Sequence, residues 1–248
     1  MQIGILGVGN IGATLTQRLS TAGHEVKVAN SRGPETIPAE VTASGGRAVH
    51  AHDVVTDVEA LVVSIPLVRV PDIRPLVDRL PAGAVLLDTS NYYPFRDGHI
   101  TALDEGQVES LWVAEQLGRP VVKAWNAILS GSFATKHAAA GTPGRIAIPV
   151  AADAEADRAL GMALVEDTGL DAVDAGPLAD SWRQQPGAPV YCTDLTREEV
   201  PGALAAAVAT RSPRRRDLAM TVLAELLGDP TVDRGPDFLV QVNRLLYS

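Results

Sequence analysis

Three glycines, spaced as Gly7-Val8-Gly9-Asn10-Ile11-Gly12, follow a short apolar run, Gln2–Leu6, and open a helical pattern through Leu15 and Leu19 to Ala22. A strand can pass into a helix over so few residues only if the backbone tolerates φ > 0 and close approach, which glycine permits. Gly23 stops the helix and a second apolar run, Glu25–Ala29, follows, so the chain opens as a βαβ unit. The alternation continues to about residue 175, as expected of a parallel sheet with covering helices. It predicts further strands at Arg47–His50, Ala60–Ile65, Ala84–Asp88, Pro120–Ala124, Arg145–Val150 and Ala172–Asp174. Helices are expected at Pro34–Ser44, Asp53–Val58, Pro71–Leu80, Glu105–Leu117, Ser130–Ala139 and Ala154–Asp167.

Around Gly176 the rhythm changes to a proline-punctuated loop, Gly176-Pro177, Gln185-Pro186-Gly187 and Ala188-Pro189. Only helical patterns follow. Thr196-Arg197-Glu198-Glu199 reads as a capping box and Ser212-Pro213 as a helix start. Leu218, Val222, Leu223, Leu226 and Leu227 fall on one helical face, and Pro236 to Tyr247 reads as a last amphipathic helix. The expected organisation is an α/β Rossmann-type parallel sheet with helices on both faces over residues 1–176. Residues 177–248 are expected to add a small C-terminal loop and helical segment that closes a cleft or forms a dimer interface.

The glycine loop implies a dinucleotide site. Gly7 permits the turn, Gly9 lets backbone approach a pyrophosphate, and Gly12 lets helix and strand pack closely. Val8, Asn10 and Ile11 complete the loop, and the helix start offers free N–H groups to phosphate. A site preferring NAD places a carboxylate at the end of the second strand. Here the chain reads Ala29-Asn30-Ser31-Arg32-Gly33, and Ser31 and Arg32 instead offer a hydroxyl and a planar cation suited to a 2′-phosphate. NADP(H) is therefore the expected cofactor. Ser64, Ile65, Pro66 and Leu67, where the fourth strand ends, are expected to line the nicotinamide ribose, or to be an ordinary strand-to-helix turn.

Several other residues admit two readings. Lys123 and Asn126 are candidate proton donor and orienting amide, or a surface ion pair and a turn cap. Asn91-Tyr92-Tyr93 follows the fifth strand, so Asn91 and Tyr92 either meet a flat substrate or pack within a loop. Trp182 beside Arg183 suits a flat anionic ligand or a subunit interface. The run Arg211 to Arg216 is a solvated helix start or a dock for an anionic tail. The histidines show no metal-ligand spacing, and no metal site is expected. The lone Cys192 reads as structural and fits a reducing cytoplasm. A formal charge of −9 argues against a nucleic-acid partner, and no apolar run is long enough to span a bilayer. The helices after residue 190 point to a homodimer in which each C-terminal segment packs on its neighbour.

Taken together, Gly4 to Gly12, Ala22-Gly23-His24-Glu25-Val26 and Asn30-Ser31-Arg32-Gly33-Pro34-Glu35-Thr36 resemble the NADPH-dependent reductases of the deazaflavin coenzyme F420 and their broader relatives. The likeness continues through Asp88-Thr89-Ser90-Asn91-Tyr92-Tyr93-Pro94, Val122-Lys123-Ala124-Trp125-Asn126 and Asp174-Ala175-Gly176-Pro177-Leu178. It implies NADP at Val8 to Gly12 and at Ser31-Arg32, with Ala124 also at the cofactor, and a C-terminal part closing over the nicotinamide. It also implies direct hydride transfer to a deazaflavin co-substrate, which needs positioning more than acid–base residues. Reduction of another small carbonyl, imine or flavin-like substrate, and non-catalytic NADP(H) sensing, remain the alternatives.

Overall fold

The computed structural model describes residues 1–228, 235 and 237–248. The chain runs β1 (Gln2–Leu6), α1 (Asn10–Thr21), β2 (Glu25–Ala29), α2 (Ala39–Thr42), β3 (Arg47–Ala48), β4 (Ala60–Val63), α3 (Arg74–Val77) and β5 (Val85–Asp88). Next come α4 (Pro94–Asp97), α5 (Thr101–Asp104), α6 (Glu109–Leu117), β6 (Val122–Lys123), α7 (Ser130–Thr135), β7 (Ala147–Val150), α8 (Glu155–Asp167) and β8 (Asp171–Asp174). The C-terminal helices are α9 (Val200–Ala205), α10 (Ser212–Gly228) and α11 (Phe238–Tyr247). The expected start of the last helix at Pro236 lies outside the described residues.

Strands β1 to β6 form one parallel sheet in the order β3-β2-β1-β4-β5-β6. This is the doubly wound α/β fold. Its central strands are buried on both faces, which is why Ala60-Leu61-Val62-Val63 is uninterrupted apolar sequence. One face packs Leu15 and Leu19 of α1 and Leu164 and Val165 of α8 against Ile3, Ile5 and Val28. The other packs Val77, Trp112, Val113 and Leu117 against Leu61, Val63 and Leu86.

The last two expected strands do not extend this sheet. Strands β7 and β8 pair with each other, and β7 reaches β6 only through an antiparallel bridge between Lys123 and Ala151. Of the expected helices, Glu105–Leu117 and Ser130–Ala139 are trimmed to α6 and α7, two more are broken by proline and one does not form. Pro38 forces Ile37 into extended backbone (ψ 121°), so residues 34–44 become a 3-10 turn followed by α2. Pro71 and Pro75 likewise reduce residues 71–80 to a 3-10 turn and α3. Residues 51–57 form turns, with Asp57 at φ 50°.

The predicted capping box forms in part, Glu199 accepting from the Thr196 N–H at 2.8 Å just before α9. The predicted apolar face of α10 is only partly covered, with Leu218 and Leu227 about half exposed at 50% and 47%. No helix among the described residues is long and apolar enough to cross a membrane.

Candidate nucleotide-binding cleft

At the carboxyl ends of β1, β2 and β4 lies an open cleft of about 720 Å3. Its floor is the glycine turn. Gly7 takes φ 115°, and a Cβ there would sit 2.1 Å from the Ser64 carbonyl oxygen. A Cβ on Gly12 would sit 2.0 Å from the Gly7 carbonyl oxygen, so any larger residue would push α1 off the turn. Gly9 differs from both: a Cβ there would meet nothing within 4 Å among the described residues. No contact among them requires a glycine at position 9, and its open side is where a ligand would come close to the backbone.

The start of α1 offers what an anion needs. Among the described residues no side chain caps it, no acidic residue lies in its first turn, and its first intrahelical bond is from Ala13 N–H to the Gly9 carbonyl. The N–H groups of Asn10, Ile11 and Gly12 precede that bond and are available to an acceptor. A dinucleotide pyrophosphate therefore fits these residues.

Beyond the turn, Gly7, Val8, Gly9, Ser31, Ser64, Ile65 and Pro66 line the cleft, seven residues the sequence singled out. Asn30 shapes the β2 end: its Oδ1 accepts from the N–H of Arg32 (2.9 Å) and Gly33 (3.0 Å), and its Nδ2 donates to Thr36 Oγ1 (2.8 Å). This turn puts Ser31 in the cleft lining, while the next residue, Arg32, is exposed and is not part of the wall. Ala51, His52, Arg69, Ile73, Leu76 and Arg79 complete the walls, and sequence reasoning missed them. They come from proline-broken turns and a loop without periodicity, so no local pattern marks them. Arg69 is paired with Asp72 at 2.9 Å, while His52 stacks on His50. Leu67 and Ala124 are fully buried behind the cleft.

Of the residues expected to meet substrate, Lys123, Asn126 and Asn91 meet at the ends of β5 and β6, whereas Tyr92 and Trp182 line a separate cavity. Lys123 is fully buried, its ammonium held by Asp88 Oδ2 at 3.1 Å and by the Ser90 carbonyl. It ties β5 to β6 instead of facing solvent. Asn126 is also buried, bonded to Asn91 Oδ1 (3.1 Å), the Gln184 carbonyl (2.7 Å) and the Gln184 amide (3.0 Å). Asn91 returns a bond to the Asn126 carbonyl at 3.0 Å, so three amides lock the ends of β5 and β6 to the loop before Gln185. The backbone there is held at φ 54° on Trp125.

Tyr92 turns away from the cleft. Its hydroxyl donates to Asp104 (2.8 Å), and its ring packs under Arg216. Trp182 is half-buried with the Arg183 guanidinium 4.4 Å above its ring. Of the basic run, Arg215 bonds the carbonyls of Tyr247 and Ser248 and Arg216 is buried, so part of it holds the C-terminus. Cys192 is buried among Tyr191, Ala127 and Ala219, and burial raises its thiol pKa far above the usual range.

Residues 2–92 match the family described as NADP oxidoreductase, coenzyme F420-dependent. A segment of 54 residues is 52% identical to the protein YjhV of Escherichia coli (strain K12), covering 22% of this chain and 39% of that protein. The chain thus spans well under half the length of that relative. Among solved structures it is similar to the hypothetical protein SMa0349 of Sinorhizobium meliloti: TM-score 0.67, 25% identity, 79% of this chain and 95% of that one. An Arthrobacter sp. FB24 protein bearing the name of an F420-dependent NADP-reductase superposes with TM-score 0.57 at 18% identity, over 94% of this chain and all of that one (100%). The arogenate dehydrogenase of Synechocystis shares the fold, with TM-score 0.53, 15% identity, 98% of this chain and 79% of that one covered. The match over residues 2–92, which form the glycine turn and most of the cleft, makes this part of the chain similar to the F420-dependent NADP oxidoreductases, on an NAD(P)-binding Rossmann fold.

Proposed function

We propose that the protein is an NADP(H)-dependent oxidoreductase whose hydride acceptor is a deazaflavin of the F420 type. The observation that carries the cofactor half is the cleft itself. Free N–H groups at α1, an open approach over Gly9, and Ser31 and Arg32 where a carboxylate would select NAD together suit a 2′-phosphorylated dinucleotide. A bound nicotinamide supplies the hydride. The chain's own residues position the two rings: the α1 start holds the pyrophosphate, Arg32 faces the 2′-phosphate, and Ser64 to Pro66 border the ribose.

The acceptor half is supported by what Lys123 does. With its ammonium committed to Asp88 and Ser90, no lysine is free at the strand ends to protonate a carbonyl or imine. Direct ring-to-ring hydride transfer needs no such donor. The same observation favours one second reading, a non-catalytic NADP(H) sensor.

The experiment is to incubate the purified chain with NADPH or NADH and oxidised deazaflavin, following both chromophores. Coupled loss of both signals with NADPH, and little with NADH, is the expected result. Tight NADPH binding without turnover would remove the deazaflavin reading and leave another acceptor or the sensor. We place the protein in the cytoplasm, where its buried free thiol stays reduced. It acts as a homodimer through the half-exposed Leu218 and Leu227 of α10. Light scattering that returns a monomer at working concentration would refute the dimer.

A further inference from the structure

A second cavity, of about 150 Å3, shares no lining residue with the nucleotide cleft. Four segments far apart in sequence close it: Tyr92 after β5, the stretch from α5 into the start of α6, the loop around Trp182 to Pro186, and the start of α10. Gly187 (φ 90°) presses that loop onto α10, where a Cβ would lie 1.9 Å from the Ser212 carbonyl oxygen. The cavity therefore forms where α10 and the loop before it pack against residues 92–109.

Its polar lining is of an unusual kind. Glu109 is 4% exposed, and its Oε2 is fully buried with no hydrogen-bond partner among the described residues. The Tyr92 N–H and the Gln185 amide approach the same carboxyl group. Burial pushes its pKa up to about 7, against the opposing pull of Lys123 and Arg216. Arg216 is itself 7% exposed, and its guanidinium engages Asp217 through Nε and lies over the Tyr92 ring at 5.3 Å. Glu109 and Arg216 line one cavity without forming an ion pair. Leu103, Trp182 and Pro186 supply apolar wall between them.

A lone cation here would face Arg216, and a lone anion would face Glu109. A molecule carrying both charges satisfies both ends. A cavity of this size accepts a ligand as large as benzene, on the order of six to eight non-hydrogen atoms. We propose that this cavity binds a small zwitterion, an α-amino acid no larger than valine, with its ammonium on Glu109 and its carboxylate on Arg216. The small aliphatic side chain lies against Leu103 and Trp182. The site stands independently of the nucleotide reading.

The test uses the full chain without cofactor, titrated in a calorimeter with L-valine, with 3-methylbutanoate (no ammonium) and with 2-methylpropylamine (no carboxylate). L-Valine should bind saturably, with each half-ligand weaker by about tenfold or more, the usual cost of losing a hydrogen bond to a charged group. Glu109→Gln should weaken L-valine by a similar factor while strengthening 3-methylbutanoate, whose carboxylate then no longer meets a buried like charge. Trp182→Phe should abolish the ligand-induced change in tryptophan emission. No saturable binding of L-valine or L-alanine at millimolar concentration would overturn the proposal. Equal affinity for L-valine and 2-methylpropylamine, or undiminished L-valine binding by a folded Glu109→Gln chain, would also overturn it. NADPH titration of the same sample reads the other cleft, so the two proposals fail separately.

Discussion

Replacing Lys123 by methionine removes the ammonium that Asp88 and the Ser90 carbonyl share beneath the strand ends. Both side chains of the ion pair are 0% exposed, so no water can take over the lost contacts. Methionine fills much of the same volume, and the cavity contribution is small. The dominant effect is Asp88 left as a buried carboxylate whose remaining bond is from the Ser90 N–H at 3.0 Å. Breaking a buried pair by removing one partner costs about 3–5 kcal/mol. In a chain of this size that lowers Tm by roughly 6–20 °C, at about 2–4 °C per kcal/mol. Adding Asp88→Asn should recover much of the loss, because the stranded charge is then gone. Thermal unfolding followed by circular dichroism measures both variants, with NADPH affinity determined well below either Tm. The reasoning predicts a large drop in Tm with NADPH binding intact. A Tm within about 2 °C of the parent, accompanied by abolished turnover, would refute it and restore Lys123 as a proton donor within reach of substrate.

The glycines of the turn should separate by role: Gly12→Ala destabilises the fold, whereas Gly9→Ala keeps the parent Tm and weakens NADPH binding, read by melting and by fluorescence titration. Arg32→Ala should raise the Kd for NADPH by about ten- to a hundredfold, the value of a charge-assisted bond, and leave NADH unaffected. An equal loss for both cofactors would remove the 2′-phosphate role. Glu109 predicts a pH dependence of stability: burial raises its pKa from 4.5 to about 7, so the folded chain keeps a proton that the unfolded chain releases in that window. Stability should fall by up to about 3 kcal/mol as pH rises through it and level off above. Glu109→Gln should flatten that part of the profile in urea titrations at a series of pH values.

Much of the nucleotide cleft was legible in the sequence because its parts are local. Gly7, Gly9 and Gly12 act through backbone geometry within six residues, and Ser31 and Arg32 through their position at a strand end. The cleft's far wall was not legible, because Arg69 and Arg79 lie on turns where Pro71 and Pro75 break the helical pattern that would have oriented them. Lys123 shows the limit at a single residue. Its place after an apolar strand is equally compatible with a cleft or with burial, and only the register of β5 against β6 puts Asp88 beside it.

Glu109 is the clearest case of the same limit. A carboxylate in the first turn of a helix is ordinary, favoured by the helix dipole, and nothing around it in sequence marks it. The amino-acid order alone determined the βαβ start, the parallel sheet and the phosphate-facing helix end, since these follow from periodicity and from glycine's missing Cβ. The tertiary structure decided which charges are buried, which are paired and which line one cavity without pairing with each other. Those properties depend on segments a hundred residues apart meeting, and on the solvent they exclude when they do.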